Sequence, residues 1–98
     1  MIDGDVNEFV DCIAFEDCKV RYKGYRYWFD GICYDDKTKE YSTYITKYED
    51  KVDFVFVEDI FVYRSSSKDD VMFHLLNDKI FDGKSFYEVE AEMQWIDW

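Results

Sequence analysis

The spacing of apolar positions changes period twice along this chain. Near the start, Val6, Phe9, Val10 and Ile13 recur at i, i+3, i+4 and i+7, the single stripe of a 3.6-residue helix. This predicts a helix from about Asp5 to Phe15, with Asp5 and Glu8 spaced as a capping box. From Cys18 to about Arg64 the period falls to two. Val20 and Tyr22 lead into Lys23-Gly24, a tight turn, and Tyr25 to Tyr34 continues as an aromatic strand. Gly31 inside that strand marks a bulge or a close backbone approach. The cluster Asp35-Asp36-Lys37-Thr38 is a turn, and Glu40 to Tyr48 alternates Tyr41, Thr43 and Ile45 against Ser42, Tyr44 and Thr46. Glu49-Asp50-Lys51 is the next turn. Val52 to Tyr63 is apolar and β-branched, interrupted by Glu58-Asp59: one bent strand or two short ones.

The helical period then returns. Ser67 caps a stretch carrying Val71, Met72, Leu75 and Leu76, which Asn77-Asp78 ends. Asp82-Gly83 is a turn, and Ser85 with Glu88 spells a second capping box. Phe86, Val89, Met93 and Ile96 follow as an apolar stripe, with Trp95 and Trp98 near the end and Glu88 and Glu92 neighbours on its exposed side. The predicted fold class is α+β. An N-terminal helix, an antiparallel meander of about four strands and two C-terminal helices packed on one sheet face form a single domain over residues 1–98.

Composition supports folding. Acids outnumber bases 23 to 12, but aromatics make up 21% of residues, whereas disordered acidic chains are poor in them. Pro is absent and Gly occurs four times, so no segment reads as a linker. No apolar run is long enough for a membrane helix, and the acidic opening residues lack the basic-then-apolar order of a signal peptide. Three cysteines without framework spacing fit a reducing compartment. These features predict a cytoplasmic protein.

Candidate chemistry is sparse. His74 is the single histidine, and nothing in its neighbourhood spells a catalytic triad, so it reads as structural. Cys12, Cys18 and Cys33 lack the C-x₂₋₄-C spacing of zinc sites, and Cys12 reads as a small core side chain. The pairs Asp35/Asp36, Glu58/Asp59 and Asp69/Asp70 match no calcium loop, and no Gly-rich phosphate loop occurs. No catalytic residue, metal or cofactor is predicted. The expectation is a non-enzyme.

Charge carries more information. Met1–Asp17 holds six acids and no base, Ser85–Trp98 four acids and no base, while Cys18–Tyr48 holds seven bases against four acids. Arg21, Lys23 and Arg26 interleave with Tyr22, Tyr25 and Tyr27, as in nucleic-acid-binding strands, but a domain at −11 is repelled by a polyanion. Acids crowded on helices without basic partners repel one another, and they can match phosphates that a basic cleft was built to receive. The candidate partner-binding residues are Glu8, Asp11, Glu16, Asp17, Glu88, Glu92 and Asp97. No contact with nucleic acid or membrane is predicted.

In size, acidity and α+β build, the chain resembles the small inhibitors of phages and other mobile elements, notably anti-CRISPR proteins. Its closing segment, Ile80-Phe81-Asp82-Gly83-Lys84-Ser85-Phe86-Tyr87-Glu88-Val89-Glu90, is similar to the ends of small proteins carried by such elements. The resemblance implies a basic partner such as a Cas nuclease effector in a bacterial host, blocked by acids standing in for phosphates. Two other binding roles fit the same acidity or aromatic content: an immunity protein against a toxin nuclease, and a regulatory adaptor using a Tyr/Trp surface.

Overall fold

A computed structural model describes residues 6–53 and 55–96. Helix α1 (Val6–Ile13) buries Phe9 and Ile13, and the amides of Phe15 and Glu16 close its end on the Cys12 carbonyl. The helix takes in the whole apolar stripe from Val6 to Ile13 but ends before the predicted Phe15, and the Asp5 cap lies outside the described residues.

Strands β1 (Cys18–Tyr22) and β2 (Tyr25–Phe29) form a hairpin whose turn is Lys23-Gly24, at φ 49° and 81°. Two positive φ values in a two-residue loop match the twist of the flanking strands. Strand β3 (Cys33–Asp35) continues β2 after a break at Asp30–Ile32, and β4 (Glu40–Glu49) pairs with both. The break is Gly31, at φ +83°, where a Cβ would stand 2.9 Å from the backbone carbonyl of Glu16. Both readings of this glycine hold. Strand β5 (Phe56–Ser65) covers the other edge of β4 as one bent strand.

Helix α2 (Lys68–Asn77) starts where Ser67 accepts the Asp70 amide, and helix α3 (Phe86–Val89) starts in the Ser85/Glu88 capping box. The last apolar stripe is not one helix, however. After α3 comes a single 3₁₀ turn (Glu90–Glu92), and Gln94–Ile96 forms β6 against the outer edge of β1. That edge would otherwise leave backbone donors and acceptors unpaired, and ladder bonds outweigh the helical spacing of Ile96. The second of the four expected strands, Tyr25 to Tyr34, is thus split into β2 and β3, and β6 is a strand that the sequence did not predict.

Alternation sorts the sheet into two faces. Cys18, Val20, Tyr22, Tyr27, Phe29, Ile45 and Phe61 point into the core, where they meet Phe9, Leu75, Phe81, Phe86, Val89 and Met93. The helices lie on this side. Phe9 is the hub, with ring centroids 5.3 Å from Phe29, 5.5 Å from Phe86 and 5.0 Å from Trp95. The opposite face carries Lys19, Arg21, Arg26, Trp28, Tyr44 and Val62, set by the pairings Lys19↔Trp28, Arg21↔Arg26 and Tyr44↔Val62.

The expectation for the cysteines needs correction at two positions. Cys12 and Cys18 are joined in a disulfide with Cα atoms 7.0 Å apart, and Cys33 is free and exposed. The α1–β1 connection reverses the chain around Glu16, which brings the helix end beside the first strand. Cysteine usage therefore gives no argument for a reducing compartment. Among the described residues no helix is long and apolar enough to cross a membrane.

Candidate functional site

Burying Phe9 and Ile13 fixes the rotation of α1 and turns Glu8 and Asp11 to solvent. Glu16 and Asp17 follow in the exposed connection to β1, pinned at the backbone of Glu16 by the close packing of Gly31. The Phe9–Phe86 stack packs α1 against α3, the helix that carries Glu88 and leads into the 3₁₀ turn with Glu92. Asp97 lies outside the described residues.

The predicted residues are not equivalent. Asp17 pairs with Lys19 at 3.0 Å, and the hydrogen bond from that ammonium holds its carboxyl below the usual range. Glu88 accepts the Ser85 amide at 3.0 Å and the Lys79 ammonium at 3.1 Å. The Ser85 amide is the larger cause of its lowered pKa, with Lys79 second. Its charge is spent inside the fold. Because the helix ends at Val89, Glu88 and Glu92 are also not neighbours on one continuous α-helix. Glu8, Asp11 and Glu92 have no cation within ion-pair distance among the described residues. Those three and Glu16 are exposed.

The basic hairpin resolves differently from its sequence. Tyr22 and Tyr27 are buried at 2% exposure, while Arg21 and Arg26 point to the other face. Their rings cannot stack on bases. Asp50 lies between the two guanidinium groups, 2.8 Å from Arg21 and 2.6 Å from Arg26, and these contacts, Arg26 first, lower its pKa. Arg21 also donates to Gln94 at 3.0 Å. The cations of the open face are therefore largely neutralised from within.

His74 has more partners than its flanks suggest. Its Nδ1 lies 2.9 Å from Asp78, its Nε2 3.5 Å from Asp70, and its ring 4.5 Å from that of Tyr63. Tyr63 donates its hydroxyl to Asp70 at 2.9 Å, and hydrogen bonds from Ser65 and then Tyr63 lower the Asp70 pKa. Asp70, one turn before His74 on α2, and Asp78, the residue that caps the end of α2, were readable as its i−4 and i+4 neighbours. Each ring nitrogen faces its own carboxylate, so the group staples α2 to β5 and leaves no nitrogen aimed at an open site. Among the described residues no three His, Cys, Asp or Glu side chains form a metal-holding group.

No protein-family model matches the chain, and neither the curated proteins nor the solved structures yield a match.

Proposed function

We propose that this protein is a non-enzymatic inhibitor that docks its acidic helix-side surface onto a basic, nucleic-acid-handling protein. The observation that carries this reading is the distribution of charge across the two faces. Segments 6–17 and 85–96 contain no base, and Glu8, Asp11, Glu16 and Glu92 stand exposed on the elements tied together by Phe9 and Phe86. Lys19, Arg21 and Arg26 sit on the opposite sheet face, held by Asp17 and Asp50, whereas on the helix side Lys79 pairs with Glu88 and Lys68 lies over the Phe15 ring. A cationic cleft meeting Glu8, Asp11 and Glu92 encounters carboxylates that have no ion-pair partner among the described residues. Such an encounter is steered and salt-sensitive.

The particular target class we propose is a CRISPR nuclease effector, in the manner of anti-CRISPR proteins. A toxin nuclease would present the same kind of basic cleft. Target DNA cleavage by purified effectors, with and without this protein, tests the reading. Inhibition that weakens as salt rises, and that is lost in the Glu8→Lys/Asp11→Lys/Glu92→Lys variant, supports it. Inhibition untouched by that variant overturns it. Glu88 is left out of the set because its carboxylate caps α3.

A further inference from the structure

The Cys12–Cys18 disulfide joins the last turn of α1 to the first residue of β1, closing the connection between them into a small ring. Non-covalent contacts hold the same connection. The amides of Phe15 and Glu16 bond to the Cys12 carbonyl, and Gly31 packs against the Glu16 backbone. The Lys68 ammonium stands 4.3 Å from the centre of the exposed Phe15 ring. The disulfide itself is not sealed in the core. Cys18 is buried but Cys12 only half so, and both line an open cleft of about 250 Å³ with Asp17, Lys19, Trp95 and Ile96.

Two features let this bond break while the domain stays folded. A ring this small constrains the unfolded chain less than a long one does. Phe9, Ile13 and Val20, on either side of it, are 0% exposed and belong to one core, which the disulfide does not build. Each sulfur also faces an acceptor on Glu16. Cys12 Sγ lies 3.4 Å from its carboxylate, and Cys18 Sγ lies 3.8 Å from its carbonyl oxygen. After reduction, each thiol therefore has a partner where it already stands, though thiols are weak donors. These contacts keep the sulfurs near one another for re-oxidation without the covalent tie.

We infer that Cys12 and Cys18 form a reversible dithiol–disulfide switch, worked by a protein dithiol, that fixes or loosens the Ala14–Asp17 connection. A thiolate of the dithiol attacks Cys12 Sγ from the cleft, the more accessible sulfur. The Cys12–Cys18 bond breaks, a mixed disulfide forms, and Cys18 leaves as a thiolate that takes a proton. The second thiolate of the dithiol then displaces Cys12, which takes a proton in turn. Two electrons pass to the protein, and the reductant ends as a disulfide. A partner touching this connection meets an ordered segment in the oxidised form and must order a looser one in the reduced form. The inference is independent of what the acidic surface binds.

The test uses the Cys33→Ser protein, so that only this pair reacts, with dithiothreitol as the dithiol. Amide exchange is read by NMR before and after reduction under native conditions. The Phe15 and Glu16 amides are expected to exchange at least about tenfold faster once reduced, while the β1 and β2 amides keep their protection. Cys12→Ser/Cys18→Ser should match the reduced protein, and glutathione disulfide should restore the slow rates. Four results would overturn the proposal: no Cys12–Cys18 bond by mass after treatment with glutathione disulfide, reduction no faster than global unfolding, unchanged exchange at Phe15 and Glu16, or protection lost throughout the sheet.

Discussion

Phe9 of the first helix stacks on Phe86 of the third, with centroids 5.5 Å apart and planes 13° from parallel. The two residues are 0% exposed, and they join chain segments from opposite ends of the sequence. Through this contact the two elements that bear the acids of α1 and of the α3–3₁₀ segment pack together. Phe9→Ala is expected to destabilise the fold by about 3–5 kcal/mol, the range for a buried aromatic that leaves a cavity. Urea unfolding followed by tryptophan fluorescence measures it, and a loss under 1 kcal/mol would deny Phe9 its place as hub.

Gly31 and Gly24 share a left-handed backbone and differ in their surroundings. At Gly24 a Cβ meets nothing within 4 Å, whereas at Gly31 it meets the Glu16 carbonyl carbon and oxygen at 2.9 Å. Gly24→Ala is expected to cost about 1 kcal/mol, for conformation alone. Gly31→Ala adds a backbone clash and is expected to cost at least about 2–3 kcal/mol. Comparing the two midpoints in one denaturant series checks the ordering.

Ser85 caps α3, accepting the Glu88 amide at 3.3 Å. Ser85→Ala is expected to lower stability by about 1 kcal/mol, typical of a lost N-cap. Exposed positions such as Glu8 or Glu92 should change it by no more than about 0.5 kcal/mol when replaced by Gln. Thermal melts of the three variants separate the capping role from the surface role.

Asp50 has a pKa lowered in the folded protein, first by the Arg26 hydrogen bond and then by Arg21. A carboxylate of this kind stabilises above its unfolded pKa, and the contribution is lost as pH falls through the lower folded value. The window therefore lies below about pH 4, the ordinary range for Asp. Asp50→Asn is expected to be less stable than the parent at neutral pH and to lose less on acidification. Urea midpoints at neutral pH and near pH 3 check the sign, and parallel acid losses in both proteins would contradict it.

Much of the fold was legible because local chemistry and tertiary packing agree. The Lys23-Gly24 and Asp82-Gly83 turns, the Ser67 cap, the Ser85/Glu88 box and the special role of Gly31 all follow from backbone demands that few residues meet. β6 was not legible, since Met93 and Ile96 satisfy a helical spacing until the free edge of β1 is known. The Cys12–Cys18 pairing depends on how the chain reverses at Glu16, which no spacing rule encodes. At the candidate site, the exposure of Glu8 and Asp11 followed from the apolar stripe of α1. The internal use of Glu88 was half visible: its capping role was readable, but its pairing with Lys79 joins two loop-separated segments. The apparent basic–aromatic strand misled for a simple reason, since alternation sends Tyr22 and Tyr27 inward and Arg21 and Arg26 outward.

The central claim is that negative charge on the helix side carries recognition. Affinity of the Glu8→Lys/Asp11→Lys/Glu92→Lys variant and of its parent for a purified CRISPR nuclease effector, measured across a salt series, tests it most directly. The account predicts tight, salt-sensitive binding by the parent and a loss of about a hundredfold in the variant, with the melting temperature kept. Equal affinities, or binding indifferent to salt, would contradict it.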